Sequence, residues 1–316
     1  MTHFLITGAS GLLGLNLALQ AQEKGDVFGT VYSHELAKVP FKVIQADLKD
    51  DRELSACIDE AKPDIIFNCA ALANLEACES DPLSARELNV TLPERLAVIS
   101  QRLSIQLVHF STDAVFDGQK GNYSETDLPN PLSVYAKTKL EGEQAVLRSD
   151  PRALVLRVNF YGYSLMGKRS LAEFFLYNLA AGTRVFGFKD VFFCPLLVQH
   201  LGDILFEMVK KNLSGLFHVV SPQSLSKFEF GVSIARLFGL NEGLVESVSV
   251  NRGGLKAPRS PNLTLSIEKL RGCLDIPIPD QQSGLKKFHQ QYKDGYPEKL
   301  KSYLAAKDVD DARGDE

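Results

Sequence analysis

A tyrosine and a lysine, Tyr135 and Lys139, lie four residues apart in a segment whose pattern predicts a helix. Residues four apart share one helix face. A free phenol titrates near ~10, and a neighbouring ammonium ion favours its ionised form, so such a pair suits proton exchange with a carbonyl oxygen. Thr112 follows an apolar run, 103–110, that predicts a buried strand, and its hydroxyl is a candidate hydrogen-bond donor to the same oxygen.

The spacing of the tyrosine and the lysine is weak evidence by itself. Tyr303 and Lys307 repeat it near the end of the chain, and an exposed helix face is the alternative interpretation of either pair. Two further features, in the expected order along the chain, favour catalysis at Tyr135. One is the stretch Ser111-Thr112-Asp113 upstream, and the other is a glycine-rich turn near the amino terminus.

That glycine-rich turn lies between a predicted strand, 4–6, and a predicted helix that continues to about residue 24. In this context one glycine makes a tight turn, a second lets the backbone approach a diphosphate, and a third lets the helix pack on the strand. The helix amino terminus also favours an anion. The sequence therefore predicts a dinucleotide site, formed by Gly8, Ser10, Gly11, Leu12, Leu13 and Gly14.

The second predicted strand, 27–32, bears on the choice of cofactor, because no Asp or Glu stands at its tip. A carboxylate there would bind the ribose hydroxyls of NAD, whereas hydroxyl, imidazole or cationic groups suit the 2′-phosphate of NADP. Ser33 and His34 occupy this position. NADP(H) is therefore favoured and NAD(H) is the alternative; a solvated turn is the other interpretation of the two residues.

The next two predicted strands carry further candidate cofactor contacts. Residues 43–48 predict a strand that ends in Asp47 and Leu48, and Asp47 is a candidate either to hold the adenine amino group or to cap the following helix, 50–61. Residues 64–71 predict a strand whose small terminal residues let the backbone lie against the cofactor; these residues are Cys69, Ala70 and Ala71.

A long helix is predicted over residues 83–103, and Asn89 lies on it. Asn89 is either an interior polar group of the cofactor site that positions Lys139 through water or an ordinary surface residue. The repeated alternation of strands and helices predicts an α/β fold of the Rossmann type. Its doubly wound parallel sheet has helices on both faces, and ligands lie beyond the carboxyl ends of the strands.

Composition and charge exclude several classes of protein. The chain has 316 residues, 45% of them hydrophobic, and a formal net charge of −4, which argues against a nucleic-acid binder. No apolar run approaches the ~18 residues of a membrane-spanning helix, and the start lacks signal-peptide features, so we expect a cytoplasmic protein without a membrane partner. The five cysteines show no Cys-x-x-Cys spacing, and we expect reduced thiols and no metal site.

Together these motifs resemble the extended short-chain dehydrogenase/reductases over most of the chain. The family's features correspond to the glycines at 8, 11 and 14, to Asp47, to residues 68–71 and to the trio Thr112, Tyr135 and Lys139. Within that superfamily, residues 111–118, 123–127 and 131–139 are similar to the dTDP-4-dehydrorhamnose reductase branch.

The resemblance implies an NADP(H)-dependent reduction of a nucleotide-linked 4-keto-6-deoxyhexose. In that reaction Tyr135 donates the proton, Lys139 tunes the phenol and hydrogen-bonds the nicotinamide ribose, and Thr112 positions the carbonyl. Sugar-nucleotide 4,6-dehydratases place a Glu where this chain has Ala114, so the acid needed for elimination is missing. Epimerases usually carry a serine-rich stretch in place of 111–113 and are less favoured.

Two places depart from the reductase branch. The branch commonly shows Thr-x-Val-Asp where this chain has residues 73–76, Ala-Asn-Leu-Glu, and it tends to have a Trp where this chain has Phe160. Both places border the substrate in relatives, so the resemblance implies the fold and the cofactor more firmly than the identity of the sugar.

The carboxyl-terminal half is expected to supply a substrate lobe. Phe192 and Phe193 lie in an aromatic-rich loop suited to a planar base or a sugar ring, although core packing is the alternative. Arg259 is a candidate to clamp the diphosphate of a nucleotide-sugar, or else a solvated loop residue. The residues expected to contact the substrate are Ser111, Thr112, Asp113, Asn159, Phe160, Phe192, Phe193 and Arg259.

The predicted domain organisation is interwoven. An NADP-binding Rossmann domain covers residues 1–157 with returning segments within about 185–220, a smaller, discontinuous α/β substrate lobe covers 158–184 and 221–304, and residues 305–316 form an acidic tail expected to be disordered. The family resemblance implies a homodimer. Two other functions stay open: a non-catalytic NADP-binding subunit like the β subunit of methionine adenosyltransferase, which resembles the same branch, and a nucleotide-sugar epimerase.

Overall fold

The computed structural model describes residues 1–252 and 260–305. Arg259 and residues 306–316 of the predicted acidic tail lie outside the described residues.

A seven-stranded sheet, parallel throughout, forms the centre of the molecule, with the order β11-β6-β5-β4-β1-β2-β3. Its strands are β1 (Thr2–Thr7), β2 (Gly25–Val31), β3 (Lys42–Gln45), β4 (Ile65–Asn68), β5 (Gln106–Thr112), β6 (Leu154–Val158) and β11 (Gly215–Val219). The chain runs outward from β1 in one direction through β2 and β3, and in the other through β4 to β6. The crevice between β1 and β4 is therefore the switch point of the sheet, where ligands bind in open α/β folds. The predicted doubly wound fold is confirmed.

Helices cover both faces of the sheet. The helices of the described residues are α1 (Leu12–Ala21), α2 (Asp51–Ala61), α3 (Leu75–Ser80), α4 (Pro82–Arg86), α5 (Leu92–Leu103), α6 (Val134–Ser149), α7 (Leu171–Ala180), α8 (Val198–Lys210), α9 (Lys227–Leu237), α10 (Glu268–Cys273), α11 (Gln281–Lys293) and α12 (Tyr296–Lys301). The apolar core on one face includes side chains of α1 and α8, and that on the other includes side chains of α2, α5 and α6. Alternating residues of β1 divide accordingly: Phe4 and Ile6 belong to the first core and Leu5 to the second.

The helix predicted over 83–103 is not continuous. The structure has α4, then a π-helical turn, Glu87–Thr91, and then α5. Pro93 has no N–H to donate to the carbonyl of Asn89, four residues earlier, so the regular pattern cannot pass through this point. Instead the Leu92 N–H donates to the Glu87 carbonyl, five residues back.

The short strands belong to the carboxyl-terminal half or to its junction with the sheet. They are β7 (Phe160–Tyr161), β8 (Val185–Phe188), β9 (Phe192–Phe193), β10 (Leu196–Leu197), β12 (Leu225–Ser226) and β13 (Val245–Val248), which form the pairs β7–β10, β9–β12 and β8–β13. Tyr163 stacks on Phe288 of α11, and the Tyr296 hydroxyl donates to Asn16 of α1 at 2.8 Å. The late helices thus pack on the first one. The domain boundaries given above stay predictions.

No helix of the described ranges, 1–252 and 260–305, is long and apolar enough to cross a bilayer.

We predict that Gly142→Ala destabilises the protein, because α6 crosses the π-helical turn at this residue. A Cβ at Gly142 would lie 2.1 Å from the Asn89 carbonyl oxygen, a backbone atom that cannot turn aside. The free energy of unfolding in urea should fall by about 1–3 kcal/mol. Gly272→Ala in α10 is the control, since nothing lies within 4 Å of its Cβ position. Equal stability of the two variants would contradict this account of α6.

Candidate active site

The glycine turn connects β1 to α1 at the switch point. Gly8 has φ +65°, a left-handed conformation that glycine adopts without strain, and the Gly11 N–H donates to the Gly8 carbonyl at 2.9 Å. A Cβ at Gly14 would lie 2.2 Å from that same carbonyl oxygen. Side chains at these positions would strain or block the turn, so its backbone is free to approach a ligand.

A buried polar cluster fixes the end of β4 beside this turn. The Thr7 hydroxyl donates to Asn68 Oδ1 at 2.8 Å and accepts from the Ala70 N–H at 3.0 Å. Asn68 Nδ2 lies 3.1 Å from Nδ1 of His109, and burial holds the pKa of that imidazole well below its usual range. A neutral His109 accepts the amide hydrogen bond, so the backbone of 69–71 is held in place. Sequence reasoning did not identify Thr7 or His109, because only the register of β1, β4 and β5 brings them together.

The first cavity, which we call the glycine-turn cavity, lies over this turn. The residues predicted to bind the cofactor that line it are Gly8, Ser10, Gly11, Ser33, Asp47, Leu48, Cys69, Ala70 and Ala71. His34 does not line it. Two cations that sequence reasoning missed do: Arg169, and Lys49, whose Nζ lies 3.4 Å from Asp47 Oδ2 and over the ring of Tyr32. A hydroxyl and a cation near the tip of β2 fit a 2′-phosphate.

A second cavity, the Lys139 cavity, continues from the first. The two share Gly11, Cys69, Ala71 and Arg169 in their walls. The other predicted residues that line it are Leu12, Leu13, Gly14, Ser111, Tyr135, Lys139 and Phe160. The shared walls make the pair one trough along the carboxyl ends of the strands, and such a trough fits the two halves of a dinucleotide.

A third cavity, the Asp113 cavity, joins the trough at Tyr135. It shares Ala73 and Tyr135 with the Lys139 cavity. Thr112, Asp113, Asn159 and Phe193 line it as predicted, together with Ala114 and Lys227, and Lys227 was not foreseen. Tyr135 therefore stands where the trough meets a separate chamber. The reacting carbon of a substrate would occupy such a junction.

Helix α6 presents Tyr135 and Lys139 on one face, as predicted, and Ser133 caps its amino terminus by accepting from the Ala136 N–H at 3.2 Å. Lys139 is 3% exposed and its Nζ donates to the Phe110 carbonyl at 2.6 Å. Burial lowers the pKa of Lys139 to about 8, although nearby Glu143 acts in the opposite direction. The ammonium form still predominates at neutral pH.

The pKa of Tyr135 does not behave as the spacing predicted. We expected Lys139 to lower it, but burial dominates and raises the pKa of the phenol above its usual value, opposed mainly by a hydrogen bond with Thr112. The physical reason is that moving a phenolate from water into this buried site costs more free energy than the hydrogen bond with Thr112 recovers. Tyr135 is therefore fully protonated at neutral pH, the state that a proton donor requires.

A buried ion pair lies beneath Lys139. Nε of Arg157 donates to Glu143 Oε1 at 2.9 Å, and its Nη2 donates to Oε2 at 2.8 Å. The Ser111 hydroxyl donates to Oε1 at 2.5 Å, and both ionic side chains are 3% exposed. Ser111 thus lines the Lys139 cavity and also ties β5 to α6. The sequence held one signal for this pair, a lone arginine in the apolar strand β6.

Asp113 is buried in the wall of its cavity and accepts from Asn159 Nδ2 at 2.6 Å and from the Thr112 hydroxyl at 3.1 Å. Burial raises the pKa of this carboxyl to about 6, and both hydrogen bonds and the charge of Lys227 act against the rise. Asp113 and Asn159 therefore form a hydrogen-bonded polar pair in the wall of the cavity, suited to a sugar hydroxyl.

Several predicted site residues lie elsewhere. Asn89 is buried under α6, where its amide bonds the Leu72 backbone and the Thr138 hydroxyl, and it lines none of the three cavities. This burial confirms the interior position of Asn89 and excludes the surface alternative, and its role in positioning Lys139 stays a prediction. Phe192 is 38% exposed on β9 and lies outside the Asp113 cavity, which its neighbour Phe193 lines.

Comparison with known proteins identifies one family model and several similar proteins. A family model described as the RmlD substrate binding domain matches residues 1–294. A probable low-salt glycan biosynthesis reductase, Agl14, of Haloferax volcanii is 32% identical over 92% of this chain and 99% of its own length. Methionine adenosyltransferase 2 subunit beta of Xenopus laevis is 30% identical over 84% of this chain and 80% of its own length.

Among solved structures, a dTDP-4-dehydrorhamnose reductase from Bacillus anthracis in complex with NADP matches with a TM-score of 0.82. It is 25% identical, and the match covers 92% of this chain and all of that one.

We predict that Glu143→Gln destabilises the protein strongly, because it leaves the buried guanidinium of Arg157 without a counter-charge. The free energy of unfolding should fall by about 3–5 kcal/mol. Glu141→Gln on the same helix is the control: its pair with Arg86 is exposed and should contribute less than about 1 kcal/mol. Urea denaturation measures both, and similar losses in the two variants would contradict the assigned role of Glu143.

We predict that Asp113 makes stability depend on pH. Its pKa is raised from 3.8 to about 6, so the folded state holds a proton that the unfolded chain releases between these values. The resulting stabilisation is full below pH ~4 and is lost as the pH rises through ~6, a change on the order of 2–3 kcal/mol. Asp113→Asn should flatten the curve of unfolding free energy against pH in this window.

Asp117→Asn is the control for that experiment. Hydrogen bonds lower the pKa of Asp117, so its contribution is lost as the pH falls, the opposite sign. An unchanged curve in Asp113→Asn would show that this carboxyl ionises normally.

Proposed function

The chain belongs to the family described as the RmlD substrate binding domain and is an NAD(P)-dependent oxidoreductase, and on that premise we propose that it reduces a nucleotide-sugar. The proposed reaction is NADPH-dependent reduction of the 4-keto group of a nucleotide-linked 6-deoxyhexose. The observation that carries the proposal is the position of Tyr135 in the shared wall of the Lys139 and Asp113 cavities.

The proposed cofactor site is the trough formed by the first two cavities. The Bacillus anthracis relative, whose structure holds NADP, supports NADP(H) as the favoured cofactor, with NAD(H) as the alternative. Gly8 and Gly11 would lie against the diphosphate, Asp47 near the adenine, and Ser33 with Lys49 near the 2′-phosphate. When bound, the dihydronicotinamide supplies the hydride.

The residues of this chain supply the proton and the alignment. With substrate bound, the Thr112 hydroxyl would donate to the keto oxygen in place of Asp113, and the Tyr135 hydroxyl gives its proton to that oxygen as the carbonyl carbon accepts hydride. The phenol is protonated at neutral pH, as a proton donor must be, and proton transfer of this kind typically contributes about 10²- to 10⁴-fold in rate. Lys139 binds the nicotinamide ribose and stabilises negative charge near the phenol.

Ala114 supports reduction over dehydration. It lines the Asp113 cavity beside Thr112, where an elimination reaction would need an acidic side chain, and a methyl group transfers no proton. Asp113 with Asn159 would bind a sugar hydroxyl, and Phe193 would pack on the ring. Ser111 and Phe160 line the adjoining cavity and would face the reacting carbon from the cofactor side.

The further organisation is proposed on the same premise. The Rossmann domain and the substrate lobe take the boundaries predicted above, and two chains associate as a homodimer in the cytoplasm. Exposed Val98 and Leu103 on α5 support an interface there.

The alternative is a non-catalytic NADP-binding subunit, and the similarity to methionine adenosyltransferase 2 subunit beta favours it. The complete set of Thr112, Tyr135 and Lys139 around one junction favours catalysis. An epimerase, the remaining alternative, would convert its sugar without net consumption of cofactor.

We predict that the wild-type protein oxidises NADPH steadily with dTDP-4-keto-6-deoxyglucose or its 3,5-epimer, dTDP-4-dehydrorhamnose, and that Tyr135→Phe loses turnover by about 10²-fold or more while it binds NADPH with unchanged affinity. The absorbance of NADPH measures the rate, and its fluorescence measures binding. Tyr292→Phe is the control, because this tyrosine lies 42% exposed on α11.

The outcomes separate the candidates. Binding of NADPH without any keto-sugar turnover in the wild-type protein would favour the non-catalytic subunit. Conversion of a nucleotide-sugar with no net oxidation would indicate an epimerase. Full activity in Tyr135→Phe would remove the assigned proton donor.

A further inference from the structure

Arg169, in the loop before α7, lines both of the cavities that form the trough. It lines the glycine-turn cavity and the Lys139 cavity. The other basic residues of these walls border one cavity each: Lys49 borders the first and Lys139 the second. Arg169 therefore lies at the junction of the two, together with Gly11.

The chemistry of a dinucleotide identifies what belongs at that junction. Its two nucleosides are joined by a diphosphate, so a dinucleotide that fills both cavities must carry its diphosphate past the shared wall. Gly11 lies on one side of this passage, at the amino terminus of α1, which favours an anion. A guanidinium in the same wall offers the bidentate, charge-assisted hydrogen bonds that phosphate accepts well.

The backbone that carries Arg169 is held rigidly. Glu173 is fully buried in α7, and its carboxylate accepts from the backbone N–H groups of Ser164 at 2.6 Å, Arg169 at 3.0 Å and Ser170 at 3.1 Å. The Ser164 hydroxyl donates to the same carboxylate at 2.8 Å. One buried acid thus shapes the loop 164–170 and fixes where Arg169 begins. The side chain itself is exposed, so it is accessible to a ligand.

The loop also connects two parts of the molecule. It leads into α7, which packs against α9 in the carboxyl-terminal half, whereas the glycine turn belongs to the central sheet. A ligand held by both would couple them.

We propose that Arg169 binds the cofactor diphosphate and closes the trough over it, so that the substrate-binding half of the chain contributes to cofactor affinity. This inference rests on the dinucleotide site of the proposed function and adds a ligand to it.

The test is to measure the dissociation constants of NADP⁺ and NAD⁺ by titration calorimetry for the wild-type protein, Arg169→Ala, Arg169→Lys and Lys168→Ala. Lys168 is the control because it is the adjacent exposed cation and lines neither cavity. Arg169→Ala should weaken both dinucleotides by a similar factor, on the order of 10- to 100-fold. Arg169→Lys should recover part of the loss, and Lys168→Ala should bind like the wild type.

Two further readouts accompany the titration. The difference between the wild type and Arg169→Ala should shrink as salt is raised, because the contact is ionic and partly exposed. The rise in melting temperature at saturating NADP⁺ should be smaller in Arg169→Ala, while the melting temperature without ligand stays unchanged.

The possible results are distinct. Equal binding of both dinucleotides by the wild type and Arg169→Ala would overturn the inference and leave the proposed function intact. Weakening of NADP⁺ alone would place the guanidinium at the 2′-phosphate and overturn the diphosphate assignment. A wild-type protein that binds neither dinucleotide would remove the proposed function and this inference together.

Discussion

Helix α6 carries both Tyr135 and Lys139, and the buried contact between Glu143 and Arg157 fixes that helix over the carboxyl ends of β5 and β6. Taking two charges out of water is costly, and their attraction offsets the cost only when the geometry is good and the remaining polar atoms are satisfied. Here the guanidinium makes two direct contacts, Ser111 donates to the same carboxylate, and the arginine lies over the ring of Phe116. Such a pair adds little net stability. Any other position of α6 would leave the two charges buried and unpaired, however, which would cost much more free energy.

Desolvation also sets the electrostatics of the site. It moves the pKa of Lys139 down and that of Tyr135 up, because in each case the charged form is the one that loses water. A phenol of ordinary pKa is already protonated at neutral pH, so this rise is not needed to keep the donor protonated, and it makes the phenol of the unliganded site a weaker acid. The same burial leaves Asp113 with a pKa near the physiological range, so the wall of the substrate chamber includes an acid of intermediate strength.

Sequence patterns correctly predicted the features that depend only on residues close together in the chain. The strand, glycine turn and helix of residues 4–24 and the shared face of Tyr135 and Lys139 depend on spacing along a few turns of chain, and the structure has them, although α1 ends at Ala21 and not near residue 24. The prediction of one continuous helix over residues 83–103 was wrong, because the spacing of hydrophobic residues takes no account of the missing backbone N–H of Pro93. His34 was assigned from its place in the sequence alone, and it does not line the glycine-turn cavity, whereas its neighbour Ser33 does.

The residues that sequence reasoning missed are those brought together from distant parts of the chain. The pairing of Glu143 with Arg157, the approach of Lys49 to Asp47 and the arrival of Arg169 at the glycine turn depend on tertiary packing. Only a buried arginine in an apolar strand, or a lysine two residues after a ligand candidate, hinted at them. The roles of Lys227 and of the loop 164–170 had no signal in the pattern.

The last strand of the sheet, β11, is made long after its neighbour β6, and its His218 lies beside Arg157 in register. Until the ribosome has released that segment, β6 is an edge strand with unpaired backbone groups, which other chains can pair with. A nascent chain that ends before residue 215 would therefore expose the unpaired edge of β6, next to Arg157. The central sheet therefore cannot be completed until about two thirds of the chain has been synthesised.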